Sequence, residues 1–181
     1  RIFESAGLKI VDVEKLPTHG GSLRVYGAHA DDPREPEVSV GQLLKEEKEN
    51  GLLNVETYLG FQDQAEKVKN DFLAFLLEQK RRGKQVAAYG AAAKGNTLLN
   101  FAGVKPDLLR FVCDAAPAKQ GKFLPGSHIP ILAPEALVER KPDYVVILPW
   151  NIANEVMRQN REVLEWGGRF VTAVPELKIH E

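Results

Sequence analysis

Four short apolar runs, residues 85–89, 110–113, 144–148 and 169–173, constrain this chain more than any other feature of its sequence. Each is nearly continuous in apolar residues rather than alternating, so a strand built from it must be covered on both faces. Helical stretches separate the runs: one over 96–102 after a glycine-bearing turn, another entered at Pro149-Trp150-Asn151 and running to Trp166, where Gly167-Gly168 closes it. Strands alternating with helices predict an α/β fold, a Rossmann-like, doubly wound and mostly parallel sheet with helices on both faces.

The first part of the chain reads differently. Residues 8–13 and 22–28 are strand-like and flank the loop Pro17-Thr18-His19-Gly20-Gly21, which predicts a β-hairpin. The polar, proline-bearing residues 29–37 follow, and then a helical linker. In that linker, 42–49 is charged and helix-forming, and 64–82 places Val68, Phe72, Phe75 and Leu76 at helical spacing, with Gly83 as its C-cap. The expected division is therefore a hairpin segment over 1–37 and a Rossmann-like domain over 38–181, with leading helices over 38–82.

With 181 residues, 44% of them hydrophobic, the chain can bury one substantial core. Its 24 basic and 25 acidic residues are interspersed and give a net charge of −1, which offers no footprint for nucleic acid or an anionic membrane. Cys113 is the single cysteine, so an internal disulfide and a cysteine-based metal cluster are excluded, in keeping with a reducing compartment. No run approaches the roughly 20 apolar residues that cross a bilayer, and the expected location is cytoplasmic. The opening residue is Arg1 and the only methionine is Met157; the start reads like the middle of a fold, and a piece of a longer protein is expected.

The strongest local signal is Gly90-Ala-Ala-Ala-Lys94-Gly95-Asn96, where a strand gives way to a helix. Small residues at such a corner let backbone N–H groups approach a phosphate near the positive end of the helix, and Lys94 adds charge. A tight turn that needs glycine and nothing more fits the same residues. The turn is neither a G-x-G-x-x-G nor a Walker A pattern. Asp114 ends the next strand and is either a ribose ligand or a cap. Residues 117–130 form a long loop in which Lys119, Lys122 or His128 could close over a diphosphate, or remain solvated. Trp150 and Asn151 at the third strand end suit stacking and hydrogen bonding to a ligand as well as they suit a core anchor and a helix cap. His19 beside Gly20, Gly21 and Ser22, with Arg24 two residues on, is a candidate lining of an active site, though it has no acidic partner at triad-like spacing. The four histidines fall in no metal-binding pattern, and no metal site is expected.

Taken together, THGGSLRVYGAH (18–29), AAYGAAAKGNTLLN (87–100), FVCDAAPAKQGKFLPGSHIPI (111–131), PDYVVILPWN (142–151) and GGRFVTAVPE (167–176) resemble the carboxy-terminal half of the S-adenosylmethionine-dependent sugar C-methyltransferases. That resemblance implies a class I methyltransferase domain whose last hairpin is residues 1–37, followed by a Rossmann-like domain that helps to hold a nucleoside-diphosphate keto-deoxysugar. It implies methyl transfer to a carbon beside a keto group, where a base removes a proton and the enolate attacks the sulfonium methyl. The family's base lies in a Tyr-x-Glu-His stretch upstream of the matching HGGS segment, and that stretch, the zinc cysteines and the cofactor glycines do not occur here. S-adenosylmethionine would thus be bound mainly by an upstream domain, zinc by an upstream segment, and the chain alone would be inactive. By the same resemblance His19, Gly20, Gly21 and Ser22 fall near the active-site cleft, and Lys94, Gly95, Asn96, Asp114, Lys119 and Asn151 face the nucleotide-diphosphate; the oligomeric state is left open. Two other readings suit parts of the sequence: an NAD(P)-dependent Rossmann oxidoreductase, which lacks its glycine pattern and a Tyr-x-x-x-Lys pair here, and a non-catalytic module that docks through its helices over 38–82.

Overall fold

The computed structural model describes residues 1–180 and divides into two compact units, Arg1–Phe61 and Gln62–Glu181. The first unit runs α1 (Ile2–Ser5), β1 (Leu8–Leu16), a 3-10 turn (Thr18–Gly20), β2 (Ser22–His29), α2 (Val38–Glu49) and α3 (Val55–Leu59). β1 and β2 form the expected antiparallel hairpin, from Leu16 opposite Ser22 to Leu8 opposite His29. The register shifts between Ile10 and Asp12, so Val11 is an extra residue in β1. This bulge ties down the start of α2: the Glu37 amide donates to the Val11 carbonyl at 2.8 Å, and the Ser39 hydroxyl donates to Asp12 at 2.6 Å. Lys15 and Glu46 add an ion pair between β1 and α2. The dividing line therefore falls after residue 61 rather than after residue 37, because residues 29–37 are fastened to β1 and carry α2 with the hairpin. The core of this unit is thin: Val11 and Ala28 are buried, whereas Leu53, Val55, Leu59 and Phe61 are largely exposed.

In the second unit come α4 (Phe61–Arg81), which begins at the dividing line, β3 (Val86–Tyr89), α5 (Ala93–Phe101), β4 (Val112–Cys113), β5 (Ile131–Leu132), α6 (Glu135–Arg140), β6 (Tyr144–Ile147), a 3-10 turn (Trp150–Ile152), α7 (Ala153–Gln159), a 3-10 stretch (Arg161–Trp166), β7 (Arg169–Thr172) and β8 (Lys178–His180). The six strands lie in the order β5-β4-β3-β6-β7-β8, with β8 antiparallel to β7 and every other neighbouring pair parallel.

Successive strand residues point to opposite faces, and both faces are covered. Val86, Ala88, Val112, Val146 and Val171 pack with Phe72, Phe75 and Leu76 of α4 and Leu99 of α5. Ala87, Cys113, Val145, Ile147 and Phe170 pack with Leu137 of α6, Val156 of α7 and Val163. The doubly wound, mostly parallel architecture is thus present. Gly83 ends α4 with a left-handed φ of 69° and Gly167 closes the later helical stretch with φ 80°, as their positions imply. The stretch up to Trp166 is not one helix, however. Asn160 turns its side-chain amide back onto the Val156 carbonyl at 2.9 Å, which ends α7, and the chain continues as 3-10 turns. β5, α6 and β8 had no counterpart among the expected elements.

Candidate functional site

The carboxyl ends of β3, β4 and β6 converge at one rim of the sheet, and the turn from β3 into α5 is built there. Gly90 has φ 91°, and a Cβ at that position would meet the ring of Pro149 at 2.5 Å. Its amide donates to the Cys113 carbonyl at 2.7 Å, and the Ala91 amide donates to Asp114 Oδ2 at 2.7 Å, so the turn is stitched to the end of β4. Ala92 precedes the helix, and its side chain gives no cap. The first-turn amides of α5 have no carbonyl within the helix to bond, so this end is suited to an anion. Gly95 is buried, and a Cβ there would lie 2.5 Å from Leu148 Cβ. Its small size serves the close approach of α5 to the sheet, and only its backbone is available to a ligand.

Around this turn the structure brings together most of the residues singled out from the sequence. Lys94 Nζ donates to Asn151 Oδ1 at 2.7 Å and lies 5.1 Å from the centroid of the Trp150 ring. Lys94, Trp150 and Asn151 are therefore one cluster, drawn from α5 and the end of β6. Asn96, one turn into α5, has a buried Oδ1 with no hydrogen-bond partner among the described residues. On the other side, Asp114 is buried and accepts from the Ala91 amide, from the Ala116 amide at 2.9 Å and from Lys119 Nζ at 3.0 Å. Burial pushes the Asp114 carboxyl up, but the Ala116 amide, Lys119 and the Ala91 amide outweigh it and hold the group below its usual range. Lys119 also donates to the Ala91 carbonyl at 3.0 Å.

The remaining candidates have local partners of their own. Lys122 turns back onto the Ala118 carbonyl at 2.6 Å. His128 stacks on Phe123 with ring centroids 4.2 Å apart, and the tip of its loop is fastened to Asn100 and Lys105 through the carbonyls of Pro125 and Gly126. Asn100 is in the last turn of α5, so the loop tip sits at the end of that helix opposite the rim. His19, Gly20, Gly21 and Ser22 belong to the first unit, where they shape the hairpin loop: His19 has φ 57°, and the Gly21 amide and the Ser22 hydroxyl both donate to the Thr18 carbonyl. Among the described residues no three His, Cys, Asp or Glu side chains gather as a metal ion would require, and no helix is long and apolar enough to cross a membrane.

One feature of the rim lay beyond the sequence reading. Gly90 and Gly95 are five residues apart, the distance from first to last glycine of G-x-G-x-x-G, and each performs the structural task of its counterpart, the tight turn and the close helix packing. Ala92 stands at the middle position, where glycine lets a pyrophosphate approach the backbone. The spacing alone was the available signal, and the alanine concealed it.

Comparison with known proteins agrees with this architecture. The family described as the C-methyltransferase C-terminal domain matches residues 17–175. The C-methyltransferase NovU of Streptomyces niveus is 40% identical over 178 residues, which is 98% of this chain and 42% of that protein. The chain thus spans less than half the length of this curated relative.

Proposed function

The chain belongs to the C-methyltransferase C-terminal domain family, and from that premise we propose that its second unit holds the acceptor of a C-methylation, a nucleoside-diphosphate keto-deoxysugar. The observation that carries the proposal is the cluster at the sheet rim: Lys94, paired with Asn151 and set over Trp150, beside the uncapped start of α5. A diphosphate there would meet backbone amides, the helix dipole and one cation together. The Trp150 ring offers an apolar face for a base or sugar.

The same rim does not suit S-adenosylmethionine. It presents Lys94 and Lys119 to a ligand that carries a sulfonium cation, and its one buried carboxylate, Asp114, already has three donors. In this proposal the cofactor, the base and the zinc of the family belong to other parts of a longer protein, and residues 1–37 contribute the last hairpin of the methyltransferase domain. An NAD(P)-dependent oxidoreductase is disfavoured because Ala92 replaces the glycine that admits a dinucleotide.

Thymidine diphosphate is the direct probe. At about 100 times its Kd a ligand stabilises the folded state by about 2.7 kcal/mol, so the melting temperature of this unit is expected to rise with thymidine diphosphate and to stay put with thymidine. Lys94→Ala is expected to weaken binding about tenfold, the loss of one charge-assisted contact. An unchanged melting temperature in the unsubstituted chain would remove the acceptor-holding role.

A further inference from the structure

We infer that Lys119 determines which nucleotide this rim accepts: its ammonium occupies the place where a ribose would donate its hydroxyls to the acidic residue, and it closes the unit to the adenosine half of a dinucleotide. The inference rests on the acceptor reading for the position of the diphosphate. In a doubly wound sheet, the acidic residue at the end of the strand after the glycine turn accepts from the ribose diol. Asp114 has that place, at the end of β4, the neighbour of β3. Yet Oδ1 takes the Ala116 amide, and Oδ2 takes both the Ala91 amide and Lys119. The ring is completed by Lys119 donating to the carbonyl of the same Ala91.

Exposure separates the two partners. The Asp114 side chain is 11% exposed and that of Lys119 is 45% exposed, so the lysine and not the acid meets solvent. A ribose hydroxyl would have to replace an ion pair, charged on both partners, with a hydrogen bond in which only the acceptor is charged, which loses the Coulombic attraction. β4 and β6 flank β3 on opposite sides, and with the β4 side latched the nucleoside is directed toward Trp150 and Asn151. Ala92 acts in the same direction, since its methyl group stands where the dinucleotide turn is bare. The ligand class is therefore a nucleoside diphosphate whose ribose hydroxyls are not read by the acid of the sheet.

Calorimetric titration with adenosine diphosphate and with 2′,3′-dideoxyadenosine diphosphate tests this, with far-UV circular dichroism melts confirming the fold of each variant. In the unsubstituted chain the two affinities are expected to agree within about twofold. In Lys119→Met, which keeps the apolar stem and removes the ammonium, the ribose form is expected to bind about tenfold tighter than the dideoxy form. The double substitution Lys119→Met with Asp114→Asn should bring the ratio back toward one. A tenfold preference for the ribose form in the unsubstituted chain overturns the inference, and so does the absence of any preference in Lys119→Met. Should Lys119→Met not fold, Lys119→Gln takes its place with an expected preference of at least threefold, and equal affinities there count against the inference. Failure of the unsubstituted chain to bind thymidine diphosphate counts against the acceptor reading, whereas Lys119 is judged by the ribose-to-dideoxy ratio alone.

Discussion

A carboxylate that satisfies three donors at once holds its surroundings in place, and Asp114 does so for two segments of the rim. Replacing it by alanine strands the Ala91 and Ala116 amides and takes from Lys119 its carboxylate partner, leaving it the Ala91 carbonyl. A buried donor left without a partner costs about 1–3 kcal/mol, so Asp114→Ala is expected to lower the unfolding free energy by about 2–3 kcal/mol at pH 7, measured by urea denaturation. The pH dependence has a fixed sign. The folded-state pKa lies below the unfolded one, so the stability from this group is present above the ordinary carboxylate value, near 4, and is lost as the pH falls through the folded value. The gap between Asp114→Ala and the unsubstituted chain should therefore narrow below about pH 4. The sequence was enough to place Asp114 at a strand end, and to bring Lys94, Trp150 and Asn151 to the same rim. It could not show that Lys119 folds back on Asp114 while Lys122 turns onto Ala118 and His128 stacks on Phe123, because loop residues at similar spacing are oriented by tertiary contacts.

At the scale of the element, α5 is held by what its glycines lack. A methyl group on residue 95 would overlap Leu148, and inserting carbon into a packed interior costs about 1–3 kcal/mol. Gly95→Ala is expected to lower the unfolding free energy by that amount, read as a fall in the urea midpoint with the slope unchanged, and to weaken thymidine diphosphate binding because the start of α5 must shift. Strands within apolar runs, β3, β4, β6 and β7, were legible, as was the long α4 from its three- and four-residue spacing. β5 contributes only two residues to the ladder and directly follows the loop over 117–130. Periodicity carries no information over two residues. β8 was missed for a related reason: three residues, Lys178–His180, pair antiparallel with β7, and only the neighbouring strand makes them a strand.

For the whole molecule, the two units differ in how much they bury. The first has two buried apolar residues, while the second encloses both faces of a six-stranded sheet. Local opening free energy follows buried apolar contact, so backbone amides of β1 and β2 are expected to exchange with solvent deuterium at least about tenfold faster than those of β3 and β6. Equal protection in the two sets would contradict this. Apolar patterning could specify the hairpin and the sheet separately, but the fastening of α2 to the Val11 bulge, which moves the dividing line to residue 61, depends on two hydrogen bonds that patterning does not encode. Cys113 lies fully buried in β4, and burial pushes its thiol up to about 12. As the chain has no second cysteine, an alkylating reagent becomes a stopwatch for the breathing of the central sheet, one that the fraying of the hairpin leaves untouched.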